Sequence, residues 1–467
     1  MYPRGAAHTS IIPKLPRKRE VQYRTMSTTC RQILAQLQHP VLIVGAALML
    51  RMVWLVAYAP WHDAHARLIA RAPNPDSGSY HEVALVLLQY WNKPGQAIVE
   101  MPEAIDSIII RAPGYPLVMA ILYALFGINP AWVVIAQFFV SVLNCWLVIV
   151  SLRRICSPSG VAVGGWLFAL NPVLIDHTQM ILTETFFVWG MTLTLYSFAR
   201  FRAQPNPHVV RAGLCSGVAL ALTTLIRPSP LWLIPVLSAL GAFSRSLPTR
   251  ARALWMLGYF VGVLLLFVPW ATYNRVHYGS WRLTVAGELY LLDMTGLAIA
   301  KMQKPIHQMR AMLEPEAFAQ MRQDGLDPNR HIFERASYYR AVALRHIQQH
   351  LNDFVYYWLR GMFFFWRSAA GPSTGGQWIE SSWLVRLWFQ IYYFVYLVVL
   401  VAGLWLTWRI RLHRWWGLLF VISACYFTIS AGCSGNARFR LQTFVFSLPV
   451  IALGLDSRRP SRKLEQL

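Results

Sequence analysis

Between residues 41 and 455 the chain returns again and again to apolar stretches of about bilayer-crossing length. A hydrocarbon core of roughly 30 Å takes about 20 apolar residues in helical form, because without water each backbone N–H and C=O must be satisfied inside its own helix. The stretches fall at 41–60, 113–127, 131–151, 160–175, 181–200, 211–226, 230–243, 252–273, 352–368, 384–408, 415–431 and 438–455. Over 467 residues, 56% are hydrophobic and only 13% charged. The expectation is an all-α polytopic membrane protein with about 10–12 transmembrane helices and large outer loops.

The charges exclude some functions and set a topology. There are 43 Lys and Arg against 20 Asp and Glu, but they are dispersed among short loops, so membrane orientation and anionic lipid explain them and nucleic acid does not. Cys30, Cys145, Cys156, Cys215, Cys425 and Cys433 have no CxxC spacing and read as small buried hydrophobes. Neither a Gly-rich loop after a strand, nor a DxD motif, nor zinc spacing is present, which argues against a soluble nucleotide-sugar site. The basic first 40 residues, with "PKLPRKREVQYR", have no apolar h-region and are expected to form a cytoplasmic tail, with Met26 of "MSTTCRQILAQLQ" a second candidate start.

Arg153 and Arg154, Arg200, Arg202 and Arg211, Arg245, Arg250 and Arg252, Arg409, Arg411 and Arg414, and Arg458 and Arg459 mark the cytoplasmic side. With the tail inside, only an odd number of crossings returns Arg153 to the inside. The short 113–127 stretch, with Pro113 and Pro116, is therefore expected to lie on or partly in the outer leaflet. The same parity argument applies to 352–368, leaving ten spanning helices; if both cross, there are twelve. The expected divisions are a basic tail (1–40), a seven-helix membrane module (41–273) containing an outer loop (61–112), an outer helical loop (274–350), C-terminal membrane helices (351–456) and a basic tail (457–467). Two outer regions this large exceed what connectors need and point to a site at the outer face.

The ordered motifs "DSGSYHEVA", "RAPGYPLVMAILYALFGINPAWVVIAQ", "LFALNPVLIDHTQMILTETFF", "LIRPSP", "VPWATYNRVHYGS" and "GNARFRLQTFVFSLPVI" resemble the GT-C superfamily of integral membrane glycosyltransferases. Within it the chain is most similar to the bacterial protein O-mannosyltransferase-like (glycosyltransferase family 39-like) group, and more distantly to the aminoarabinose transferases. The resemblance spans about residues 41–455. It implies the GT-C fold and an inverting transfer in the bacterial cytoplasmic membrane, with the active site facing outward. The implied partners are a polyprenyl-phosphate-linked sugar, an envelope acceptor (glycan, lipid or protein) and membrane lipid.

In that superfamily the first outer loop carries an acidic catalytic base, and Asp76 of "NPDSGSYHE" matches it. Capping of a helix accounts for the same residue. Ser77 stands where the family's usual Asp-Glu pair would continue, which leaves room for a divalent cation but fixes no ligand set. His81 and Glu82 are secondary acceptor-positioning candidates, otherwise read as surface polar residues. Arg111, Arg227, Arg438 and Arg440 are candidates for the donor phosphate, because guanidinium groups hold phosphate by charge-assisted bonds; interfacial snorkelling is the alternative for each. Arg438 and Arg440, two apart, point differently on a helix. Glu184 of "MILTETFF" opens an apolar helix and reads as positioning the acceptor or organising an arginine. Asp176 and His177 rank as loop residues, and Arg51, within the first apolar stretch, as half of a structural ion pair. A transporter would show duplicated halves with broken helices, and none is visible; a non-catalytic subunit of a polysaccharide assembly system is the other reading.

Overall fold

The computed structural model describes residues 35–58, 76–92, 112–203, 208–242, 248–303, 306–367, 383–410, 413–434 and 437–456. Over these residues the backbone is helical and no strand occurs. The first half contains α1 (Pro40–Tyr58), α2 (Asp76–Asn92), α3 (Gly114–Phe126), α4 (Ala131–Leu152), α5 (Pro158–Ala169), the short α6 (Pro172–Asp176), α7 (Glu184–Ala203) and α8 (Val209–Ile226). Then follow α9 (Leu233–Ala242), α10 (Thr249–Tyr278), α11 (Ala286–Ile299), α12 (Ile306–Gln323) and α13 (Arg335–Gln349). The chain continues with α14 (Leu351–Arg367), α15 (Trp383–Arg409), α16 (Arg414–Ser430), the 3-10 turns Gly432–Ser434 and Ala437–Arg440, and α17 (Leu441–Gly454).

Local chemistry sets many of these boundaries. Pro172 starts α6 where its missing N–H costs nothing, and Asn171 Oδ1 accepts from Val173 N and Leu174 N. α10 stops at Gly279, whose φ of 72° is left-handed and which donates to the Arg275 carbonyl, while Ser280 donates to that of Asn274. Asn274 and Arg275, expected to open a loop, are instead the last turn of α10. The Asn274 amide bonds the Arg282 carbonyl and folds the following turn back onto the helix end.

By length and composition α4, α8, α10 and α15 can each cross a bilayer, while α1, α3, α9, α16 and α17 are shorter apolar helices. This is a multi-pass membrane protein. α3 has 13 residues, about 20 Å of helix against a core of roughly 30 Å, and α9 and α17, with 10 and 14 residues, are similarly short. α17 is the centre of the bundle: every side chain from Leu441 to Leu453 is buried, and it packs on α5, α7, α15 and α16. Arg51 of α1 is buried too, but neutral oxygens replace the expected acid: Nε donates to Ser141 Oγ at 2.7 Å and Nη1 to the Ala47 and Ala169 carbonyls. At this depth carbonyls are the nearest available acceptors, and using them spares the burial of a second ion.

The closest helix pair is α8 with α10. Gly213 and Gly217 of α8 sit against the Trp255 and Tyr259 carbonyls, and Gly258 and Gly262 of α10 against those of Val210 and Leu214. Small residues four apart on both partners let the backbones touch, the geometry by which helices associate in lipid. A Cβ on Gly217 would collide with the Tyr259 carbonyl, whereas Gly45 on α1 has nothing within 4 Å. Gly217→Val is therefore expected to force the pair apart and cost about 1–3 kcal/mol, read as a lowered Tm in detergent; Gly45→Val should leave Tm unchanged.

α11, α12 and α13 form a polar three-helix unit with its own small core of Leu289, Leu292, Leu313, Ala317, Tyr339, Val342 and Ala343. The buried Asp293 of α11 binds Arg310 of α12 through both carboxylate oxygens, at 3.2 and 2.7 Å, and the Tyr339 hydroxyl donates to Glu314 at 2.6 Å. The unit rests on the 432–434 turn and on α14, so it stands against the end of the bundle where α17 begins.

Candidate functional site

α2 holds Asp76 against the bundle by two packing faces. Asp76 is its first residue, where a negative charge suits the positive end of the helix dipole, and its carbonyl accepts from Ser79 Oγ at 3.2 Å. Tyr80, one turn on and on the same face, meets the Tyr115 ring edge-on with centroids 5.0 Å apart. Val83 and Val86 pack with Trp270 of α10. His81 is buried, not a surface residue: its Nδ1 is hydrogen-bonded to the Tyr123 hydroxyl at 2.9 Å, joining α2 to α3. Glu82 is exposed, as expected.

Tyr115 links this helix to the interior. Its hydroxyl donates to Gln137 Oε1 at 2.9 Å, and Gln137 Nε2 in turn holds the Thr178 and Met180 carbonyls at 3.1 and 2.7 Å. The Tyr115 ring also faces Phe186, with centroids 6.0 Å apart. The 177–183 segment anchored in this way leaves helical geometry inside the bundle, which is tolerated because Gln137 and neighbouring hydroxyls satisfy its backbone. Asp176 and His177 are accordingly buried, where loop exposure was expected. His177 Nδ1 is bonded to the Val173 carbonyl at 2.9 Å.

Glu184 opens α7 at the end of that segment and is 4% exposed. Arg227, directly after α8, reaches its carboxylate at 2.9 Å and Thr183 Oγ1 at 3.3 Å. The Arg227 guanidinium lies 4.9 Å from the centre of the Phe439 ring. α3 butts against this corner, since a Cβ on Gly114 would fall 2.6 Å from the Leu225 carbonyl. Tyr80, Tyr115, Phe186 and the Glu184–Arg227 pair thus form one run of neighbours drawn from four separate stretches of sequence, with Asp76 one helical turn from its outer end.

Arg440 follows Phe439 but turns to another side. Its guanidinium lies 3.8 Å from the centre of the Tyr393 ring, and Nη1 donates to the Trp366 carbonyl at 3.3 Å. It lines a cleft with Asn171, Tyr393, Tyr396 and Phe444, a mostly aromatic wall with one cation. Arg111 and the side chain of Arg438 lie outside the described residues. Among the described residues no three His, Cys, Asp or Glu side chains gather as a metal-holding group, and no chemical step is assigned to a metal ion.

Tyr290 of α11 is a neighbour that no local signal announces. Its hydroxyl donates to the Ala431 carbonyl at 2.7 Å and lies 3.2 Å from Ser434 Oγ. Burial pushes this hydroxyl up to about 12, opposed by the Ser434 hydrogen bond and the charge of Arg227. The neutral form is favoured in the fold, so its stabilisation is complete below the ordinary tyrosine value of about 10 and is lost as pH rises from there towards 12. Between those pH values Tm should fall more steeply in the wild type than in Tyr290→Phe.

The architecture is thus a set of apolar helices around one central helix, with a polar helical unit standing against its end. No family model matches the chain, and no curated protein matches it. Among solved structures it is similar to the oligosaccharyltransferase AglB of Archaeoglobus fulgidus in complex with an inhibitory peptide and a dolichol-phosphate, at 14% identity and a TM-score of 0.50, over 88% of this chain and 50% of that one. The apo form of the same archaeal enzyme gives 13% identity and a TM-score of 0.50, over 89% and 50%. ArnT from Cupriavidus metallidurans aligns at 15% identity with a TM-score of 0.39, over 89% and 77%. At these identities the likeness to AglB establishes the fold, and the chain spans about half the length of the archaeal chains it matches.

Proposed function

We propose that the chain is an inverting glycosyltransferase that moves a sugar from a polyprenyl-phosphate donor to an envelope acceptor at the outer face of the bacterial cytoplasmic membrane. The observation that carries this reading is the packing of the Asp76 helix, through Tyr80 and Tyr115, onto the corner that holds Arg227 and Glu184. This run of ring contacts ties the helix that carries the proposed base to the cation proposed for the phosphate, beside an apolar bundle that suits a lipid-anchored donor.

Asp76 takes the proton from the acceptor hydroxyl or amine as its lone pair attacks the anomeric carbon. The bond from that carbon to the phosphate oxygen breaks on the opposite face, and its electron pair leaves with the polyprenyl phosphate. The leaving group is already an anion, so no general acid is required, unlike the carboxyl pair of glycoside hydrolysis. Arg227 meets the charge growing on the leaving oxygen. Glu184 is a positioning residue that fixes the guanidinium of Arg227. The fold of AglB, whose structure was solved with a dolichol-phosphate, supports a lipid-phosphate donor.

The test is transfer of radiolabelled sugar from synthetic polyprenyl-phosphate donors by the purified chain in nanodiscs, with envelope extract as acceptor. Protein-dependent labelling of one acceptor fraction with inversion at the anomeric carbon supports the reading. Absence of transfer with every donor, together with uptake of a labelled solute by proteoliposomes, would replace it with a transporter.

A further inference from the structure

We propose that α14 is a membrane-surface helix, lying in the plane of the leaflet beside the polar unit with an apolar stripe in the acyl region and two arginines at the lipid phosphates. Its 17 residues carry Asp353, Arg360 and Arg367, and about 25 Å of helix with three charges is a poor bilayer crossing. At about 100° per residue, Leu351, Val355, Leu359 and Phe363 form one stripe. These four are 54%, 46%, 59% and 59% exposed, so no part of the described chain covers them.

The rest of the circumference explains why lipid is the occupant. One arc is already used: Gly361 lies against the backbone of the 432–434 turn, and Phe354, Tyr357 and Trp358 pack with Met294, Leu297 and Cys433. Asp353, Arg360 and Arg367 share the arc between this protein-packed side and the apolar stripe. Arg360 leans on the Tyr357 and Phe364 rings at 5.6 and 5.2 Å, and Arg367 on the Phe363 ring at 5.6 Å. Such guanidiniums rest their stems on aromatic carbon and leave the charge at headgroup level. Position along the chain agrees. α14 joins the polar unit to α15, which is long and apolar enough to span, and therefore runs where the two environments meet.

The helix is also tied to the candidate site. The Trp366 carbonyl in its last turn, one of the acceptors that a helix end leaves unpaired, accepts from Arg440 Nη1 and from the Tyr393 hydroxyl. Trp366 Nε1 donates to Thr428 Oγ1 at 2.9 Å. Seating α14 at the lipid surface therefore sets the height of Arg440 relative to the phosphates of the leaflet.

The experiment places a genetically encoded fluorescent amino acid singly at positions 355, 359 and 363 of the stripe and 353 and 360 of the charged arc. The full chain is reconstituted in nanodiscs of phosphatidylcholine and phosphatidylglycerol with brominated acyl chains. Stripe positions should be quenched at least about threefold more than arc positions, since an interfacial helix buries its apolar face roughly 5–10 Å deep. A steady change in quenching from 353 to 363 regardless of face would mean a crossing helix and overturn the proposal. Stripe positions reached by aqueous iodide and not by bromolipid would overturn it, as would protection from both quenchers, which indicates a second copy or another protein on the stripe. The exposed stripe positions tolerate a larger side chain, so misfolding at 359 leaves 355 and 363 to decide. Sugar transfer, assayed in the same nanodiscs without the label, separates failure of this proposal from failure of the glycosyltransferase reading.

Discussion

Asp76→Asn is expected to lower sugar transfer by about 10²–10⁴-fold, the usual contribution of a positioned general base. The substitution separates the two uses of this residue. Asn caps a helix as well as Asp does, so α2 should keep its start, its Tyr80–Tyr115 contact and its packing on Trp270. What it removes is an oxygen that can hold a proton. The effect should fall on kcat, with donor KM nearly unchanged, because the lost interaction is made in the transition state. Full activity in Asp76→Asn at unchanged Tm would assign Asp76 to capping and move the search for the base elsewhere. Glu82→Gln is the control: the side chain is exposed, and its loss should change the rate less than about twofold.

The second large effect is expected at the Glu184–Arg227 pair. With side chains 5% and 18% exposed, the two groups are largely out of water. Arg227→Met leaves the Glu184 carboxylate buried without its 2.9 Å cation, a change that typically costs about 3–5 kcal/mol. Glu184→Leu combined with Arg227→Met should recover much of that loss, because replacing both ions also removes the buried charge that lost this cation. Stability recovers in the double variant while function does not: donor KM should stay raised in both Arg227→Met and the double variant. Arg227→Lys keeps the charge but not the planar fork, and an intermediate KM is expected. A double variant with both wild-type stability and wild-type donor KM would remove Arg227 from phosphate binding.

How much of this was legible in sequence differs by residue. Glu184 stands out locally, since a carboxylate opening an apolar helix is costly without a partner. The partner was legible only as one of four arginines, because apolar periodicity places helices along the chain and not beside one another. The structure selects Arg227, 43 residues away. Tyr115 carries no charge, so within "RAPGYP" nothing marks it as the hinge between α2 and Gln137. The burial of His81 is not legible in sequence, because α2 has polar groups on more than one side. The Tyr123 hydroxyl that satisfies His81 comes from 42 positions away.

Sequence by itself determined the class: a helical chain of repeated bilayer-length segments with a polar interruption before α14, and acids and arginines at helix ends. Those properties depend on each residue's own transfer free energy and on its near neighbours, so they survive without a fold. Tertiary structure alone decided that Arg227 meets Glu184, that Arg440 meets a carbonyl 74 residues earlier, and that α2 stands on Tyr115. Those contacts follow from which helices pack, and in a membrane that choice rests on close-approach glycines and buried hydrogen bonds rather than on hydrophobicity, which every helix shares with the lipid.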